Sequence, residues 1–132
     1  LMADCYPVAA VRHLIDADLL CTQHRMDNAM CHYAFAAECA LKAFAPNPPT
    51  IHKLDQLQDL VSAYSELLGL LHPKFALFLG TGNPPSALVR DHPKRRYFLD
   101  IDYTDAEMQQ AQIFTRLLVD KLTNAVLNGQ IV

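Results

Sequence analysis

Apolar positions recur along this chain with gaps of three and four, and strict alternation is rare, so the pattern predicts helices almost throughout. The cleanest run is Leu54, Leu57, Val61, Tyr64, Leu68 and Leu71, the seam of a helix in an antiparallel bundle. A last helix carries Met108, Ala111, Phe114, Leu118, Leu122 and Ala125. Thr104 and Glu107 form a capping box before it, and Gly129 is a natural stop. A first helix is predicted from about Pro7, which suits a first turn, to about Gln23. Its apolar side is Val8, Val11, Leu14, Ile15 and Cys21; Asp18 intrudes there, while Arg12, His13 and Asp16 point away. A second helix is predicted from Asp27 as N-cap to about Ala45, where "PNPP" breaks it.

Residues 72–103 form a long connection containing "GTGNPP" and "RDHPKRRY". Phe75, Leu77, Phe78 and Leu79 within it predict a short helix tucked against the rest. The fold class that follows is all-α: an up-and-down four-helix bundle with an additional short helix in the connection before the last helix. At 132 residues the chain forms a single domain.

Composition narrows the function classes. Apolar residues make up 52% of the chain, yet no run reaches membrane-spanning length without a charge or amide, and the N-terminus shows no basic leader. The expectation is a cytoplasmic protein with no membrane partner. A net charge of -3 gives no global reason to expect nucleic acid. Cys5, Cys21, Cys31 and Cys39 show no CxxC spacing and read as reduced, mostly packed thiols. A zinc site drawn from His24, Cys31 and His32 has spacing unlike a metal motif, so no metal and no cofactor is expected. "LGTGNPP" follows no strand and lacks the lysine of a phosphate loop, so it reads as a turn. His52, with Thr50 before it, reads as part of the start of the third long helix.

"MDNAMCHYAFAAECALKAF" resembles the second helix of HEPN domains, small prokaryotic four-helix-bundle proteins, whose pattern there is an Ala-rich helix with a Glu and, four residues on, a Lys. Glu38 and Lys42 match it. The resemblance extends upstream to "RHLIDADLL", downstream to "HKLDQLQDL", and then to "RRY" before a threonine-capped last helix. It implies a helical bundle, often dimeric, found in metal-independent ribonucleases and toxins that are paired with a small nucleotidyltransferase. Active members are similar in an Arg, a spacer of four to six residues, and a His near the start of the last long helix. Here that helix contains Arg116 and no His. Only Arg25 and His32 match the spacing, at the start of the second helix.

Three groups of candidate residues follow. On the second helix, Asp27, Asn28, His32, Glu38 and Lys42 fall within an arc of about 140° that also holds Cys31, Phe35 and Cys39. Within it, His32, Phe35, Glu38, Cys39 and Lys42 are the interface candidates. In "RDHPKRRY", Arg90, His92, Lys94, Arg95 and Arg96 concentrate positive charge and Tyr97 offers a ring for a base, making this the nucleic-acid or nucleotide candidate. Arg96 and Tyr97 are also expected to tie the segment to the bundle, for instance through Glu38 or Asp18. The catalytic candidates are Arg25, His32, Arg90 and His92, an Arg to stabilise phosphate charge and a His to move a proton. The resulting expectation is a non-catalytic module that binds RNA, a nucleotide or a partner nucleotidyltransferase as a homodimer. The alternatives are a divergent metal-independent endoribonuclease and a purely structural dimerisation domain.

Overall fold

A computed structural model describes residues 4–45, 50–69, 83–97 and 101–129, with only the backbone described for 64–69. Every element among these residues is helical: α1 (Tyr6–Thr22), α2 (Met26–Phe44), α3 (Leu54–Gly69), the single turn α4 (Ser86–Val89), a 3-10 turn at Lys94–Tyr97, and α5 (Asp105–Leu127). The short helix expected at Phe75–Leu79, the seam residue Leu71 and most of "LGTGNPP" lie outside the described residues. So do the side chains of Tyr64 and Leu68.

Helix ends follow local chemistry. Thr104 Oγ1 accepts from the Glu107 amide at 3.1 Å, and Glu107 accepts from the Thr104 amide at 3.0 Å, so both halves of the capping box form. At the other end of α5, Gly129 takes φ +72°, the left-handed residue that closes the helix. α1 ends the same way without a glycine. His24 sits at φ +59°, its amide reaches Cys21 O, and the Arg25 amide reaches Leu20 O. Those are the two hydrogen bonds of a Schellman stop, held by a side chain that pays a steric cost in this conformation. α2 begins one residue before Asp27. Arg25 is its N-cap without a side-chain bond, and Asp27 accepts the Asn28 amide from inside the first turn.

α2 is the hub, packed against α1, α3, α4, α5 and the 3-10 turn. Its composition explains this. Ala29, Ala34, Ala36, Ala37 and Ala40 are fully buried, and such small side chains let neighbouring backbones approach closely. Met30, Tyr33 and Leu41 supply volume between them. α3 contributes Leu54, Leu57 and Val61, and α5 contributes Met108, Ala111, Phe114, Leu118, Leu122 and Ala125, all buried as their spacing predicts.

α1 departs from its expected orientation. It turns Ala10, Leu14 and Ala17 inward, while Val8, Val11 and Ile15 stay exposed. The small residues of α2 are matched by small residues of α1, so close backbone approach decides the orientation and the bulkier β-branched stripe faces out. Asp18 therefore lies beside α2 and α5: it accepts from Tyr33 Oη at 2.6 Å and Gln112 Nε2 at 3.0 Å, and pairs with Arg116. Among the described residues, no helix is long and apolar enough to cross a membrane.

Candidate functional site

Glu38, in the middle of α2, is a buried and heavily engaged polar group. It is only 7% exposed and collects donors from three segments. Lys42, one turn on, places Nζ 3.2 Å from Oε2; His52, just before α3, places Nδ1 3.1 Å from the same oxygen; His92, between α4 and the 3-10 turn, reaches Oε1 at 2.7 Å. Burial alone would raise the Glu38 pKa. The hydrogen bonds from His92 and His52 and the Lys42 ammonium outweigh it and hold the carboxyl at about 2. His92 Nδ1 has no partner among the described residues, so the ring proton belongs on Nε2, pointing at the carboxylate.

Phe35, three residues before Glu38, continues the site. Its ring meets His92 edge-on at 5.0 Å and lies 5.5 Å from His13 of α1. His13 in turn lies against His32, with the two Nδ1 atoms 3.0 Å apart. At that distance one ring donates and the other accepts. Burial, then the neighbouring His32 and Arg12, lowers the His13 pKa and favours its neutral form. His52, Glu38, His92, Phe35, His13 and His32 thus form one continuous string across α2.

The interface candidates of α2 therefore occupy the chain's own interior and edge. Glu38 and Lys42 are buried, and His32, Phe35 and Cys39 are half-buried. The Cys39 thiol is pushed up to about 11, chiefly by burial and then by Glu38, which keeps it protonated and unreactive at neutral pH. Burial raises Cys31 as well. Arg25 is exposed at the α2 N-cap. His32 lies about two turns further along α2, and Arg25 sits outside the helix, so helical spacing does not bring the two together.

The segment 90–97 divides into anchors and presented groups. His92 and Arg95 are buried; Arg95 donates from Nη2 to Ala87 O at 3.2 Å and to Leu88 O, and its guanidinium lies over the Tyr103 ring at 5.8 Å. The expected tie through Arg96 and Tyr97 is made by these two residues instead. Arg96 and Lys94 are exposed, Tyr97 is 75% exposed, and the Arg96 guanidinium lies 4.7 Å from the Tyr97 ring centroid. Arg90 is exposed but partly neutralised by Asp91 at 3.4 Å and Glu107 at 3.5 Å.

Among the described residues, no group of three or more His, Cys, Asp or Glu side chains is placed to hold a metal ion. The backbone of His24, drawn with Cys31 and His32 as a zinc possibility, closes the end of α1. Sequence spacing missed His13 and His52 as members of polar clusters, and it named Asp18 as an ion-pair candidate for the 90–97 segment, whereas its partners are Tyr33, Gln112 and Arg116. The first two join α2 only through long-range packing, and no local spacing links residue 13 to 32 or 52 to 38. No protein-family model, no curated protein and no solved structure matches this chain.

Proposed function

We propose that this chain is a HEPN-like four-helix bundle that acts as a homodimeric, non-catalytic binding module. Its ligand is RNA or a nucleotide, and a small nucleotidyltransferase is the protein partner the family resemblance implies. The observation that carries this reading is the split within residues 90–97: buried His92 and Arg95 hold the segment, while Lys94, Arg96 and Tyr97 face solvent. An ammonium and a guanidinium beside an exposed ring suit a phosphate with its base stacked alongside. Arg90 is already shared with Asp91 and Glu107, so Lys94 and Arg96 are the less compensated cations of this face.

Several features support binding over cutting. The His92 side chain is fully buried and its Nε2 proton is directed at Glu38, away from any RNA hydroxyl. The arginine of the last helix, Arg116, is paired with Asp18 and has no histidine on its own helix. One observation favours the second reading, a divergent metal-independent endoribonuclease. His13 and His32 form a half-buried imidazole pair that can exchange a proton.

The two readings separate in one assay. Labelled single-stranded RNA is incubated with the purified protein in EDTA, with His13→Ala, His32→Ala and His92→Ala as controls. The binding module shifts the RNA and leaves it intact. Cleavage abolished by any of the three substitutions would replace it with the ribonuclease.

A further inference from the structure

The outward face of α1 holds four exposed aliphatic residues: Val8 at 64%, Val11 at 38%, Ile15 at 61% and Leu19 at 60%. Val8, Ile15 and Leu19 fall within about 40° of one another around the helix, so they form a ridge parallel to its axis. Beside the ridge runs an open groove of about 560 Å³, walled on the far side by Leu122, Val126 and Leu127 of α5. Nothing among the described residues covers either feature. A contiguous apolar surface of this kind on a folded chain marks an interaction site.

The polar residues on the margin indicate what occupies it. Arg12 and Asp16 both border the groove, on the same edge of the ridge, and among the described residues neither has an ion-pair partner. Pairing within the helix is the weaker of the two orientations, a basic residue standing four positions before an acidic one. The order of residues is also nearly self-complementary about position 14. Reversing α1 there exchanges the levels of Arg12 and Asp16, and brings Val8 within one residue of the level of Leu19 and Val11 within two of that of Ile15.

We infer that α1 is a two-fold dimer interface, two copies packing antiparallel on the ridge formed by Val8, Val11, Ile15 and Leu19. A two-fold axis perpendicular to both helices keeps the charged edge of each copy on the same side. Arg12 then meets Asp16 of the second copy twice, once on each side of the axis, as an isologous contact requires. The inference takes from the proposed function only its homodimer. Its test measures mass, whereas that of the RNA reading follows a label, so either can fail alone.

Sedimentation equilibrium of the purified full chain over a range of concentrations tests it, with circular dichroism to confirm that each variant keeps its helicity. Wild type sediments as a dimer. Ile15→Glu, at an exposed position that the fold does not need, sediments as a monomer. Arg12→Glu and Asp16→Arg each place like charges opposite one another and raise the dimer Kd about tenfold or more. The double variant Arg12→Glu/Asp16→Arg restores the wild-type Kd, because the reversed pair is again complementary across the axis. A wild-type monomer would overturn the inference, the ridge then being covered by another part of the chain or by a different protein. A dimer indifferent to Ile15→Glu, or a double variant no better than the singles, would also overturn it.

Discussion

Replacing Glu38 with Gln tests whether the buried carboxylate organises the site. The side chain keeps its shape and one acceptor oxygen, so His92 or His52 keeps a partner. What is lost is the negative charge facing Lys42, itself only 5% exposed. A carboxyl held from its ordinary 4.5 down to about 2 corresponds to about 3 kcal/mol of preference for the charged form in the folded protein. Orphaning one member of a buried ion pair typically costs about 3–5 kcal/mol, so a loss of about 3 kcal/mol is expected. For a chain of this size that is a fall in Tm of about 10–15 °C.

The pH dependence has a definite sign. Glu38 is protonated near 4.5 in the unfolded chain and near 2 in the folded one, so its contribution is complete above about 4.5 and lost as the pH falls toward 2. The gap between wild type and Glu38→Gln therefore closes over that window. Adding Lys42→Met to Glu38→Gln removes the stranded ammonium and recovers part of the loss. Urea denaturation at several pH values measures all of this. A loss below about 1 kcal/mol at pH 7, or a gap that does not close in acid, would refute the reasoning.

His24→Gly removes a side chain from a left-handed backbone position and raises stability by about 1 kcal/mol; an unchanged or lower Tm would mean the Schellman stop of α1 carries no strain. Thr104→Ala breaks the capping box and costs about 1 kcal/mol in urea denaturation, with lost amide protection confined to the first turn of α5 by hydrogen exchange. Tyr33→Phe leaves the fully buried ring in place and deletes its 2.6 Å hydrogen bond to Asp18. Urea denaturation should show a loss of about 1–2 kcal/mol, while a neutral substitution would make that bond incidental.

Much of the helical plan is legible in the sequence because its signals are local. The Thr104–Glu107 pair, the glycine at 129 and the spacing of Leu54, Leu57 and Val61 act within one or two turns. The orientation of α1 is not local. Val8, Val11 and Ile15 look like a core stripe until the alanines of α2 are seen to favour the smaller face formed by Ala10 and Ala17. The candidate site divides in the same way. Glu38 and Lys42 are a helix pair that can be read four residues apart, and the basic character of residues 90–97 is equally plain. That Arg95 faces inward while its neighbour Arg96 faces solvent depends on a 3-10 turn whose packing no spacing encodes. His13 and His52 enter the polar string only because α1 and the start of α3 pack on opposite ends of the same stretch of α2.

The salt dependence of RNA binding bears most directly on the claim that exposed Lys94 and Arg96, carried on buried His92 and Arg95, form the working face. Two phosphate contacts on a single strand predict that log K falls against log salt with a slope of about -1.4. Lys94→Ala/Arg96→Ala should take that slope close to zero and weaken binding across RNA sequences alike. Equal slopes for the two proteins, or no binding by wild type at low salt, would contradict the account.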